Sequence, residues 1–388
     1  MAASSKKTEK YDGFEQGPIR PPSEAQSLLI RITRNCPWNR CTFCPVYKGE
    51  LFSLRPVDHV IQDIDAVSSH IHILRKMSDP AGRISQAEMN TYHSTLSATD
   101  RPAFFAAVNW FSAGMKSVFL QDANSLIVKP DDLIRILGHL KACFPWVQRI
   151  TSYARSQTIA KISDDFLNAF RMAGLNRIHI GLESGSDEVL KQVKKGVDKE
   201  THILAGRKVK NAGIELSEYV MPGLGGKTLS QNHALETADA LNQINPDFIR
   251  IRTLAIPNHV ELYDEYASGR FEKLTDVETT AELLLFLETL DGITSVIKSD
   301  HILNLFEEIE GKFPEDKDRL VGVVRQFLEL DPRRRMLYQV GRRLGLFSRL
   351  SDMNNTQLLD RAEETCRQNG ITPDNVDDVI SELMKRFI

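Results

Sequence analysis

This chain of 388 residues has only five cysteines and three tryptophans, and aromatics of all kinds make up 7% of it. No apolar run approaches the roughly 18 residues that a membrane span requires, so the sequence predicts no transmembrane segment. The stretch from Met1 to Pro22 is polar and contains proline, without the apolar core of a secretory signal. A dominant charge is missing as well. The net charge is −3 and the pI about 6.4, which excludes a global basic field that would draw the chain onto nucleic acid. Five cysteines, three of them clustered, do not make a disulfide framework, and they predict a reducing, cytoplasmic setting. No repeat of solenoid length is visible.

What is present is a soluble, core-forming composition, 41% hydrophobic and 26% charged, long enough for one large α/β barrel or two ordinary domains. Short β-rich runs recur at Leu28–Ile32, Ser117–Leu120, Arg149–Tyr153, Arg177–Leu182, Ile214–Val220 and Phe248–Leu254. Amphipathic patterns fall between them, at Asp131–Ala142, Asp164–Ala173, Asp187–Lys195 and Thr201–Ala212, the last three each followed by a glycine. A helix stopped by glycine, then a strand, is the mark of βα units. Strands alternating with helices predict a parallel sheet with helices packed outside it. The fold class is therefore α/β, a partial (β/α)6 TIM-like barrel with a helical C-terminal region.

Three segments are expected: a flexible tail over 1–24, the barrel over 25–275, and helices only over 276–388. A segment at about 56–116 is inserted into the barrel. It reads as a long helix (about Val57 to Met77), a polar stretch at 85–101 and a second helix to about Ala113.

The chemistry concentrates in Asn35-Cys36-Pro37-Trp38-Asn39-Arg40-Cys41-Thr42-Phe43-Cys44-Pro45, which follows directly on the first strand. That position is the C-terminal mouth of a barrel, where barrel active sites lie. Three thiolates on one short loop suit three irons of a [4Fe–4S] cluster, whose usual complement is four cysteines. A structural zinc also wants four ligands, typically from two paired motifs. No second Cys/His pair of that kind follows, and Cys143 and Cys366 stand alone in helical patterns. A zinc-stabilised interaction protein remains one reading of the residues by themselves.

The loop resembles the radical S-adenosylmethionine (SAM) superfamily, in which three cysteines bind a [4Fe–4S] cluster and SAM chelates the open iron. Here the spacing is Cys-x4-Cys-x2-Cys, one residue longer between the first pair than is usual in that family. The resemblance implies Cys36, Cys41 and Cys44 as cluster ligands and Phe43 beside the adenine. Leu120-Gln121-Asp122-Ala123-Asn124-Ser125 occupies the slot of a Gly-Gly-Glu type segment that holds the SAM amino group, which implies Asp122 and Asn124. Tyr153 and Arg155 follow the third strand and would aim at the mouth. Gly181-Leu182-Glu183-Ser184-Gly185-Ser186 is similar to the oxygen-independent coproporphyrinogen oxidase, methylthiotransferase and Elongator-type branch. There Glu183 and Ser184 would meet the ribose or methionyl part, and Lys195 the SAM carboxylate. Gly223, in Met221-Pro222-Gly223-Leu224-Gly225-Gly226, and Ile256, in Leu254-Ala255-Ile256-Pro257, would flank the adenine. The resemblance runs over about residues 28–260.

It implies an oxidoreductase-type enzyme with a [4Fe–4S] cluster and SAM as cofactors. Reductive cleavage of SAM would give a 5′-deoxyadenosyl radical that takes a hydrogen atom from an unidentified substrate. A reducing partner such as flavodoxin or ferredoxin is implied, and no membrane. With two cysteines outside the loop, an auxiliary cluster is not expected, and no room precedes residue 28 for a cobalamin domain. Val46 stands where the coproporphyrinogen oxidase branch commonly has a further cysteine, so the likeness concerns the barrel and not the substrate. Arg333, Arg334, Arg335, Arg342 and Arg343 read as a solvated helix face or an anion site. A nucleic-acid partner stays open but unsupported, since no interleaved aromatics accompany them. The rival within the fold is a non-catalytic cluster- or haem-binding protein.

Overall fold

In the computed structural model, which describes residues 9–384, ten strands form. They are β1 (Leu28–Arg31), β2 (Thr33–Arg34), β3 (Ser53–Leu54), β4 (Ser117–Gln121), β5 (Arg149–Ala154), β6 (Leu175–Glu183), β7 (Glu215–Val220), β8 (Phe248–Ile251), β9 (Val296–Lys298) and β10 (Gly311–Lys312). Eight of them make one mostly parallel sheet in the order β1-β4-β5-β6-β7-β8-β9-β10, and β2 and β3 pair separately. All six strands read from the sequence are present, and the fold is α/β. The C-terminal region is not helical only. β9 continues the parallel sheet with Ile249 opposite Ile297, and β10 turns back antiparallel with Gly311 opposite Ile297. At three and two residues these strands are too short to show a period of two.

The chain divides into two compact units, the first made of residues 9–37, 49–178 and 212–214 within the described range, the second of 38–48, 179–211 and 215–384. In the first unit β1, β4 and β5 pair in register, Ile30 with Leu120 and Leu120 with Ser152. The helix Val57–Met77 buries Val60, Ile64, Val67, Ile71 and Leu74, a stripe at spacings of three and four. Each such side chain contributes about 1.5–3 kcal/mol by leaving water. Trp110, on the helix Arg101–Ser112, fills the adjoining layer edge-on to Phe144 and donates its Nε1–H to Ser117 O at 2.8 Å. The polar stretch at 85–101 also folds. A capping box at Ser85 and Glu88 starts the helix Gln86–Thr95, none of whose residues is buried.

The expected flexible tail needs correction over residues 9–24. Tyr11 OH donates to Asp63 Oδ1 at 2.9 Å, Phe14 is buried, and Glu15 pairs with Arg31, Arg34 and Arg55. Polar composition suggested a loose tail, but those polar groups are the docking groups. Residues 1–8 lie outside the described range.

In the second unit β7, β8 and β9 run parallel, and the helices Gly226–Ile244 and Asp276–Thr289 pack against each other. Four further helices follow, Lys317–Glu329, Pro332–Arg343, Thr356–Gln368 and Val376–Met384. Phe306, Phe327, Tyr338 and Phe347 form their aromatic centre. The arginine run is not one solvated face. Arg342 and Arg343 are buried, Arg342 on Leu305 O and Glu307, and Arg343 on Leu303 O and Asp276.

Candidate functional site

In the second unit the cysteine loop from Trp38 onward is fixed by its backbone. Thr42 N–H donates to Val193 O at 3.0 Å, and Leu262 N–H donates to Thr42 O at 2.9 Å. Trp38 Nε1–H donates to Lys194 O at 2.7 Å, and its indole lies where a Cβ on Gly196 would fall, 2.2 Å away. Cys41 and Phe43, both 8% exposed, share an apolar cluster with Val189, Val193, Leu224, Leu254, Ile256 and Val260, and Cys44 packs against it. The structure thus brings Phe43 and Ile256 together. Lys195 Nζ sits 6.0 Å from the Phe43 ring centre, within cation–π range. None of the five cysteines is in a disulfide; Cys36 and Cys44 are half-buried.

Glu183 and Lys195, expected to meet different parts of one ligand, meet each other at 3.1 Å, both largely buried. Glu183 has φ 63°, the left-handed region. A glutamate rarely adopts this conformation, and strain of this kind collects at functional sites. Close by in charge terms is a residue the sequence reading missed. Glu218, on β7, is fully buried with no side-chain hydrogen-bond partner on either oxygen. Burial pushes its carboxyl well above the ordinary range, and the Glu183 carboxylate adds to the shift.

Ser184 and Gly223 are held by a lattice that the sequence reading also missed. His233 Nε2 faces Met221 O at 3.0 Å, a carbonyl that only accepts, so that nitrogen carries the proton. Ser184 OH therefore donates to His233 Nδ1 at 2.8 Å, and Ser184 Oγ accepts from Ser186 N–H at 3.0 Å. Thr237 Oγ1 accepts from Gly185 N–H at 2.9 Å. Glu282 takes Gly223 N–H at 2.7 Å on one oxygen and Ser230 OH at 2.6 Å on the other. Ser230, His233 and Thr237 fall at i, i+3 and i+7 on one helix, so they share a face. Gly185 must be glycine, since a Cβ there would lie 2.2 Å from Glu236 O. Polar residues repeating on what should be the buried face of a helix were the available signal.

In the first unit, the residues assigned to the SAM amino group are occupied otherwise. Asp122 Oδ2 accepts from Arg31 at 2.6 and 2.8 Å and from Asn35 N–H at 3.2 Å. Asp122 Oδ1 is buried without a partner against Gly17, where a Cβ would come within 2.2 Å. Asn124 accepts from Arg155 N–H at 3.0 Å and donates to Thr158 at 2.8 Å, which uses both ends of its amide. These groups close the end of β4 instead of presenting a free carboxylate. The absent glycines of the expected segment are the physical difference, since Asp122 and Asn124 have side chains that bond locally. Tyr153 is half-buried, edge-on to Phe119 at 5.1 Å, and Arg155 is half-buried.

Residues 106–238 match the Radical SAM superfamily model. That match takes in 133 of the 388 residues, about a third of the chain, and leaves the cysteine loop outside it. The chain is 26% identical over 117 residues to the tRNA uridine(34) acetyltransferase of Methanocaldococcus infernus, covering 30% of this chain and 22% of that protein. Against the tRNA uridine(34) acetyltransferase of Methanocaldococcus jannaschii it is 20% identical over 289 residues, 70% of this chain and 50% of that protein. The chain thus spans half or less of the length of these relatives. Among solved structures, coproporphyrinogen III oxidase from Escherichia coli aligns over 68% of this chain and 52% of its own at a TM-score of 0.43 and 17% identity. No helix among the described residues is long and apolar enough to cross a membrane.

Proposed function

We propose that this protein is a SAM-cleaving enzyme whose cluster is held by Cys36, Cys41 and Cys44. The observation that carries this reading is the docking of Cys41 and Phe43 in one apolar cluster with Ile256, with Lys195 in reach of the Phe43 ring. The donor set fits the group: three thiols on one loop, none in a disulfide, suit three irons and leave one iron for SAM. When bound and reduced, the cluster would supply the electron for reductive cleavage of the sulfonium C–S bond of SAM, and so for hydrogen abstraction from the substrate.

The chain's own part is orientation, electrostatics and exclusion of water. Phe43 and Ile256 offer an apolar wall to the adenine, and the Gly223 turn, fixed by Glu282, borders it. Lys195 would exchange Glu183 for the SAM carboxylate, freeing Glu183 for the ribose; each is a charge-assisted contact. Burial raises the Glu218 carboxyl, which favours its uncharged form beside Glu183. In the first unit Asp122 and Asn124 act by shaping the end of β4. The substrate is unidentified, and the tRNA-directed relatives make an RNA substrate the first to try. A small reducing protein and a cytoplasmic setting complete the proposal.

The test is anaerobic reconstitution with iron and sulfide, followed by EPR of the reduced protein with and without SAM. A [4Fe–4S]⁺ signal that changes with SAM and disappears in Cys41→Ala is expected. A cluster indifferent to SAM would favour a cluster- or haem-binding role, and retained zinc with no cluster would return the loop to structural duty.

A further inference from the structure

In the first unit, one group of side chains outside the site brings three different metal-ligating atoms together. Asp65 lies on the helix Val57–Met77, while His139 and Cys143 lie one turn apart on the helix Pro130–Cys143. His139 Nε2 is 2.7 Å from Asp65 Oδ1 and 3.5 Å from Cys143 Sγ, and Cys143 Sγ is 3.9 Å from the same carboxylate oxygen. A spacing of four residues puts imidazole and thiol on one helix face. The two helices pack against each other, and Arg135, one turn earlier on the second, pairs with Asp58 of the first at 2.8 Å. Convergence of the three donors is therefore set by regular backbone.

We propose that Asp65, His139 and Cys143 form a binding site for a divalent ion of the zinc class. With Zn–S of about 2.3 Å and Zn–N and Zn–O of about 2.0–2.1 Å, a tetrahedron has edges of about 3.5 Å to sulfur and about 3.3 Å between nitrogen and oxygen. The sulfur–nitrogen separation meets that value and the sulfur–oxygen one is slightly longer. The nitrogen–oxygen edge is shorter because a hydrogen bond joins those atoms, and an ion between them would replace that bond. With side chains 31% and 55% exposed, His139 and Asp65 have room to open. Thiolate with imidazole selects zinc-like ions over magnesium or calcium. Binding releases the Cys143 thiol proton to solvent. Three protein ligands leave the fourth position to water, and the ion staples the two helices.

The experiment loads the full chain with zinc, removes the excess by desalting, and reads metal per chain. Cys143→Ser and His139→Ala should each lose one zinc relative to the unsubstituted chain. The Cys36→Ala/Cys41→Ala/Cys44→Ala variant should keep that zinc. In that variant cobalt should give tetrahedral d–d bands with a thiolate charge-transfer band, lost on adding Cys143→Ser. Equal zinc in Cys143→Ser, His139→Ala and the unsubstituted chain would overturn the site. Unchanged circular dichroism in both variants keeps a lost metal from being read as lost folding. None of these readouts needs SAM, so the outcome is independent of the proposed enzyme activity.

Discussion

At the end of β4 the polar side chains are held by charge, whereas at the ends of β6 and β7 they are held mainly by hydrogen bonds around a neutral imidazole. In the first unit Arg31 stands between Glu15 and Asp122, with Arg34 and Arg55 on the same glutamate. In the second, Ser184, His233 and the Met221 carbonyl form an uncharged chain, with Glu282, bound by Gly223 and Ser230, and the Glu183–Lys195 pair as the charged groups beside it. The difference sets how each responds to loss of a part. A buried ion cluster that loses its cation leaves carboxylates facing one another. A hydrogen-bonded chain that loses one member leaves a single unsatisfied donor or acceptor.

Arg31→Met should therefore cost the most. It strands Asp122, whose side chain is fully buried, beside Glu15, and a loss of about 3–5 kcal/mol is expected in a denaturant titration. His233→Gln should cost less, about 1–3 kcal/mol, since it breaks hydrogen bonds only. Equal losses in the two variants would dissolve the distinction. In the proposed enzyme His233→Gln should also raise the KM for SAM, because Ser184 and the Gly223 turn lose their common anchor.

Acid separates the two regions further. Burial holds the imidazoles of His70, His233 and His301 below the ordinary value of 6.5, His301 at about 4. The unfolded chain takes up protons there that the folded chain refuses. This contribution to stability is thus complete above about pH 6.5 and falls as the pH drops toward 4. Urea midpoints at pH 7.5, 6 and 5 should fall less steeply in His233→Gln than in its parent. A parallel fall would mean that His233 is charged in the folded protein. The smallest effect belongs to Arg367→Ala, which removes an exposed pair with Glu364 one turn away and should leave the melting midpoint unmoved.

Much of this was legible in the sequence, and its limits have physical causes. The six strands and the helix Val57–Met77 carry strong periodicity, and they lie where the pattern puts them. The cysteine loop was legible because thiols are scarce and clustered. The partnerships of Asp122 and Glu183 were not, because a carboxylate's nearest cation is chosen by tertiary structure. Arg31 is 91 residues from Asp122. His139 and Cys143 show helical spacing on their own, but Asp65 comes from another helix, 74 residues from His139. The burial of Arg342 and Arg343 was hidden for a similar reason, since their partners Glu307 and Asp276 precede them by 35 and 67 residues.

The longer spacing of the cysteine loop has a bearing on any attempt to transplant it. Trp38, one of the four spacer residues, is a plug seated over Gly196, and the seat exists only because residue 196 has no side chain. Spacer and seat are therefore one inheritance. Grafted alone into a related barrel with a larger residue at the seat, this loop would arrive with its indole displaced. Moved together with the 193–196 turn, it should bring its own footing.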